Sequence, residues 1–510
     1  MSYRVILAAL LAAVLGAVAL PPRTALAADD AAALLAKHHA YVGWSSGDGV
    51  VKTLRQSGQS SGTRPVQFRV LRYGFAYRET WRDTRGFERD GGFTGNVFWT
   101  TSANGFTIRP IGDVARYLID EQAVFGELSG NYTATALRHE QVDGVDTAVL
   151  RLKHSVAYPM DVYVDPASGA FKRVVIDPDG RYQTTINGIQ YTEQGGKRFM
   201  TAWRFGHSTY TWQVEKTEVN PDVAADALRP PPAGATWAFG EGSLPIVLDN
   251  KEFPRIYVDA TMNGVKGRFI LDTGAAGTLI TDDYARRIGA KRVTSTRVGG
   301  IGGSIAATLF RVDALGVGGS TLHNLLVSSG MPDNFGDNEK IVGLLGFDLL
   351  AGAIIELDLD AKTLHVMDPG KVAPDMSRGL VLHPDLTTQH IRVPMQLNGK
   401  IDVIATLDSG NPINVLFSKE LIHQNRVSLL VDPTQLGSTR YGGGIGNNYT
   451  IERCGILSSL NLGPIEYRPV PACDSDSMEG NEILVGLDFM KSFNYVFDYP
   501  DGIVLLMKRK

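Results

Sequence analysis

The sequence predicts a mainly β chain: a large antiparallel half-barrel with helices, then two matched β lobes. Three observations predict it. From about Ala28 to about Asn220 the chain breaks into short segments of alternating apolar and polar residues, the period of a strand with one buried face. A stretch rich in Pro and Gly follows, with Pro230, Pro231 and Pro232 in a row, and reads as a linker. Beyond it the second half repeats itself, landmark by landmark.

The elements follow in order. Arg4 precedes the apolar run Val5 to Leu20, Pro21-Pro22 breaks it, and Ala25-Leu26-Ala27 supplies small residues at the end. This predicts a signal peptide over 1–27 and an exported chain, periplasmic or secreted. An uncleaved anchor is the other reading. Once cleaved, the mature chain is expected to hold no membrane span. A domain over 28–225 opens on a helix, "DDAAALLAKHHAYVG", and continues through strands such as "PVQFRVLR", "TAVLRLKH" and "FKRVVI". The turns Asp165-Pro166-Ala167-Ser168-Gly169 and Asp177-Pro178-Asp179-Gly180 punctuate them. Ile111 to Gly126 has helical periodicity and is expected to cover the apolar face of the sheet. A concave apolar face of this kind suits an apolar ligand or a lipoprotein. The linker is placed at 226–243, and the lobes at 244–372 and 373–510.

Composition narrows the function. The 510 residues carry a net charge of −4, which gives no basic excess for nucleic acid. Two cysteines and ten scattered histidines offer no zinc-type spacing, so no metal site is expected. Cys454 and Cys473 are a hairpin's length apart. In an exported chain they read as a disulfide, with two buried thiols as the alternative.

The repeat pairs "TMNGVKGRFILDTGAAGTLIT" from Thr261 with "QLNGKIDVIATLDSGNPINVLFS" from Gln396. Each has an Asn-Gly turn, a strand, Asp-Thr/Ser-Gly and a second apolar strand. "GGIGGS" from Gly299 matches "GGIGNN" from Gly443, and "VGLLGFDLL" from Val342 matches "EILVGLDFM" from Glu482. A carboxylate at the end of a strand built for burial is costly without a partner or a task. The repeat supplies Asp408 as partner to Asp272. Asp348 and Asp488 read as carboxylates at helix N-termini with a structural role.

On these motifs the second half, from about Leu244 to Lys510, resembles the retropepsin-like and pepsin-like aspartic proteases, with two copies in one chain. The N-terminal strands and the Val-Asp-Pro-x-x-Gly hairpin resemble, more loosely, the periplasmic lipoprotein-carrier and lipoprotein-sorting half-barrel. The first resemblance implies an aspartic endopeptidase acting on peptide or protein substrates, with Asp272 and Asp408 as the catalytic pair. Thr273, Gly274, Ser409 and Gly410 would form the active-site loops, the two hydroxyls bonding across the pseudo-twofold axis. Two adjacent carboxylates share one proton, so one is acid and the other base at the same pH, and the resemblance implies that no metal or cofactor is required. The Gly-rich stretches, with Gly299, Gly300, Gly302 and Gly303 in the first and Gly443, Gly444 and Gly446 in the second, read as flaps or as ordinary hairpins. Asn411 stands where relatives carry a small residue, as Ala275 does in the first copy. An alternative function is a non-catalytic periplasmic binding module, its half-barrel holding a ligand and its lobes serving recognition.

Overall fold

The structure is a computed structural model. It describes residues 28–510 except 46–47, 63–64, 75, 85–87, 96, 109–131, 154–157, 180–182, 207–209, 225, 250–253, 332–339, 413–414, 419–420, 422–437, 443, 446–449, 476–477 and 479–481. The expected signal peptide, the expected helix Ile111 to Gly126, and Gly443 and Gly446 lie outside the described residues. The chain is mainly β, as the sequence predicts. It divides into two compact units: the described residues of Met1–Val51, Ser60–Gly62 and Leu118–Glu215, and those of Lys52–Gln59, Thr63–Tyr117 and Lys216–Lys510.

In the first unit the strands Thr133–Val142, Val145–Lys153, Met160–Val164, Phe171–Ile176, Thr184–Gln194 and Lys197–Phe205 pair antiparallel in chain order. Alternation along them buries Leu150, Val162, Val174 and Ile186. The helix Ala28–Val42 packs here, with the His38 ring stacked 3.5 Å from the ring of Phe171 and its Nδ1 2.8 Å from the Gly169 carbonyl. A cavity of about 470 Å³ in this unit is lined by Asp143, Arg173, Gln183, Asn187 and Arg204 among others. Charged and polar side chains stand on its wall beside Val175.

The second unit opens with another antiparallel ladder, Thr53–Ser60, Gln67–Tyr73, Ala76–Arg82, Glu88–Phe93, Phe98–Thr101 and Thr107–Ile108. Its last residues, Phe106 and Ile108, are buried in one core with the residues of the lobes. Within 226–243 the short strand Thr236–Ala238 pairs with Ser320–Met331, and the Trp237 indole donates to the Ala351 carbonyl at 3.1 Å.

The strand before Asp272, Val265–Leu271, turns back on Arg255–Met262 through Asn263-Gly264, both at positive φ, the conformation a tight two-residue hairpin demands. It lies parallel to Ile341–Leu345, with Leu271 opposite Leu345. Leu279–Thr281 pairs antiparallel with that strand and parallel with Ser320–Met331. The same pairings recur around Asp408. Ile401–Asp408 turns back on Ile391–Leu397 through Asn398-Gly399, again at positive φ. It lies parallel to Glu482–Gly486, and Val415–Ser418 pairs antiparallel with that strand and parallel with Val470–Ser475. Strands Ile354–Asp358 and Phe493–Asp498 pair with each other, Ile355 opposite Phe497. Phe269, Leu271, Leu345, Leu407 and Val485 are fully buried. At about 1.5–3 kcal/mol for each large apolar side chain, this core anchors the strands that end at the two aspartates.

Candidate active site

Each Asp leaves its strand at a tight loop closed by its own carboxylate. Gly274 N donates to Asp272 Oδ1 at 2.9 Å, and Gly410 N donates to Asp408 Oδ1 at 2.9 Å. The loops are bound to each other by four reciprocal hydrogen bonds. Thr273 Oγ1 donates to the Leu407 carbonyl at 2.7 Å, and Ser409 Oγ to the Leu271 carbonyl at 2.8 Å. Each hydroxyl also accepts the other's backbone N–H, at 3.0 Å in both directions. Thr273 is 2% exposed and Ser409 1%, so water does not compete for these bonds.

This joint brings the carboxylates together. A side chain at Gly274 would collide with the Asp408 carboxylate, and one at Gly410 with that of Asp272. Glycine is needed here for close approach, since neither residue has a positive φ. The two carboxyls share a hydrogen bond. Burial raises the pKa of both above the usual carboxylate range. Asp272 is raised further by the negative charge of Asp408 and by its hydrogen bond to that carboxyl. Asp408 also accepts from Asn411 N at 3.1 Å. One proton on two adjacent carboxyls makes an acid and a base in contact.

Both carboxyls open on a cavity of about 1130 Å³. Its roof is the hairpin of Lys291–Gly300 and Gly303–Val317, tight at the tip, where Gly300 faces Gly303 and Gly303 has φ +104°. Gly302 N donates to the Ile445 carbonyl at 3.1 Å, and Gly444 lies against Ile301. The described parts of the two Gly-rich stretches therefore meet, and Gly299, Gly300, Gly444 and Ile445 line the cavity. Cys454 and Cys473 face each other in register and are joined as a disulfide, with Cα atoms 4.0 Å apart.

The copies of the Gly-x-Asp motif differ. Asp348 lies in the first turn of the short helix Phe347–Leu350 but is buried, accepting from Thr278 N and from Asn104 Nδ2, each at 2.7 Å. Burial outweighs those donors and pushes its pKa up to about 6. Asp488 is partly exposed and paired with Lys491. The backbone of Asn411 has the place of Ala275: Leu487 N donates to its carbonyl at 2.7 Å, as Phe347 N donates to that of Ala275 at 2.9 Å. Sequence reasoning missed Trp81, Ser102 and Asn104, which line the same cavity. Nothing in their local sequence marks them.

A family model described as aspartyl protease matches residues 258–349, the span that holds Asp272, the first hairpin roof and Gly346. This part of the chain is aspartyl protease-like. No curated protein matches the chain. Among solved structures, a putative outer membrane lipoprotein-sorting protein domain from Vibrio parahaemolyticus aligns at 14% identity and TM-score 0.29, covering 40% of this chain and 97% of its own. Basic 7S globulin from soybean aligns at 10% identity and TM-score 0.34, covering 53% of this chain and 95% of its own. Likenesses this slight say nothing of function. Among the described residues no helix is long and apolar enough to cross a membrane.

Proposed function

We propose that the protein is an exported aspartic endopeptidase, periplasmic or secreted, with two retropepsin-like lobes in one chain and Asp272 and Asp408 as its catalytic pair. The observation that carries this reading is the reciprocal Thr273–Ser409 joint, which brings the Asp272 and Asp408 carboxyls together on one cavity. Matching strand pairings around each Asp support the two-copy reading.

The reaction starts with one proton on the pair, taken to be on Asp272. A peptide lies in the cavity under the hairpins with a water between the carboxyls. Asp408 takes a proton from the water as its oxygen bonds to the scissile carbonyl carbon, and Asp272 gives its proton to the carbonyl oxygen. The tetrahedral diol then collapses. Asp408 passes its proton to the leaving nitrogen, the C–N bond breaks, and Asp272 regains a proton from the diol hydroxyl. The chain's own groups complete the cycle.

The test is cleavage of a diverse peptide library by the purified mature protein from acidic to neutral pH, with Asp272→Asn and Asp408→Asn as controls. The replacements are close in shape but cannot move the proton, and members of one catalytic unit fail together. Wild type is expected to cut and both variants to lose cutting. Activity retained by Asp408→Asn would remove the pair as the catalytic unit. A wild type that cuts nothing at any pH would favour a binding module.

A further inference from the structure

Asn104 is 244 residues away from Asp348 in sequence, yet its side chain lies inside the first lobe, 3% exposed. Its amide acts like a piece of strand. Nδ2 donates to the Leu326 carbonyl at 3.1 Å, and Oδ1 accepts from Leu326 N at 2.7 Å. The same Nδ2 donates to Asp348 Oδ1 at 2.7 Å. The backbone is equally fixed. Ala235 N donates to the Asn104 carbonyl at 3.0 Å, and Gly105, at φ +80°, closes the turn that begins at Ser102. A buried amide with this many good partners is an expensive arrangement to leave half-made.

The bonds continue toward the dyad. Asp348 Oδ2 accepts from Thr278 N, four residues after Gly274. The residue before Asp348 donates its N–H to Ala275 O at 2.9 Å, and Ala275 N donates to Asp272 O at 3.3 Å. Gly277 and Gly346 are in close approach in the same layer. The loop that carries Asp272 thus rests on Asp348, and Asp348 is held by Asn104. In the second copy Asp488 is partly exposed and paired with Lys491 instead.

We infer that Asn104 is a positioning residue for the Asp272 loop: its amide clamps Asp348, which holds Thr278, so that a residue outside both lobes completes the active site. This rests on the endopeptidase reading for its effect on rate, and on the hydrogen bonds alone for its effect on the loop. The N-terminal ladder is then a working part of the site rather than a neighbour of it. Ser102 and Asn104 line the cavity that holds the dyad, as a clamp placed beside the reacting groups requires.

The experiment uses the full mature chain with Asn104→Ala, Asn104→Asp, Asp348→Asn and the double exchange Asn104→Asp with Asp348→Asn. The isosteric Asn104→Asp loses the donor and sets two carboxylates together, and the double exchange puts a donor back on the other side of the pair. Two readouts are taken: amide exchange in the peptide spanning Gly274 to Thr278, and kcat and KM on a cleaved peptide. Each single variant is expected to speed exchange in that peptide while Ile401 to Asp408 keeps its wild-type rate. Each is also expected to lower kcat about tenfold with KM changed less, the scale of losing a hydrogen bond to a charged group. The double exchange should recover the part of both losses carried by the Asn104–Asp348 bond, the mark of a direct pair, while the Leu326 carbonyl stays without its Asn104 donor. Unchanged exchange in the single variants, or a double variant whose losses simply add, would overturn the inference. If wild type cuts no peptide, the protease reading falls while the exchange data still decide the clamp.

Discussion

Replacing Thr273 by Val tests the joint between the lobes. Valine keeps the shape and the buried methyl but removes Oγ1. Two hydrogen bonds go with it, the 2.7 Å donation to the Leu407 carbonyl and the 3.0 Å acceptance from Ser409 N. Both backbone groups are left in a place that water does not reach. A buried polar group left without its partner costs about 1–3 kcal/mol, so two give roughly 2–6 kcal/mol. Ser409 would still hold its own two bonds, to the Leu271 carbonyl and from Thr273 N, so the lobes stay joined but loosely. The carboxyl pair then loses its fixed spacing, and kcat should fall about tenfold or more, since site geometry must hold to within about 0.5 Å. The assay is a urea titration read at the transition that also ends activity, with kcat measured alongside. Thr273→Ser keeps the hydroxyl and should stay within about 1 kcal/mol of wild type. A Val variant as stable and as active as the Ser variant would refute the claim that these bonds hold the dyad.

The other predictions rest on the same geometry. Asp272 has its pKa raised above the ordinary 3.8, so its folded form binds a proton more tightly than its unfolded form. Its contribution to stability is complete below that ordinary value and is lost as pH rises toward the folded pKa. Asp272→Asn should therefore gain thermal stability over wild type as pH rises from about 4. A gap that is constant with pH, or that narrows upward, would contradict the shared proton. Replacing Cys454 and Cys473 together by Ser opens a loop with a sequence separation of 19. This should cost about 3 kcal/mol by urea titration, and wild type purified without reductant should show no free thiols.

Much of the lobes was legible in sequence because the signals were local. Asn263-Gly264 and Asn398-Gly399 announced hairpins, since a two-residue turn needs positive φ and few residues adopt it. Apolar runs leading into Asp-Thr-Gly and Asp-Ser-Gly announced strands that bury everything up to a carboxylate. The matched order of landmarks brought Asp408 forward as the partner of Asp272, and the resemblance to aspartic proteases implied Thr273 and Ser409 as the hydroxyls between them. The hairpins and strands are set by neighbours in the chain, and backbone conformation with strand periodicity is enough to read them.

What only the folded chain decided lies at long range. Asn104 has no motif around it; it matters because the ladder ending at Ile108 delivers its turn to Leu326 and Asp348. Asp348 and Asp488 look alike in sequence, yet one is buried under an amide and the other is paired with a lysine at the surface. The stretch 226–243 has the composition of a linker, but Thr236–Ala238 finds an edge of Ser320–Met331 to pair with. The N-terminal strands all share one alternating texture, yet those before Ile108 belong to the unit that carries the dyad. The physical reason is common to these cases. A hydrogen bond or a strand pairing between distant segments depends on the register in which whole sheets meet, and that register is selected by the summed burial of many side chains rather than by the residues that form the contact.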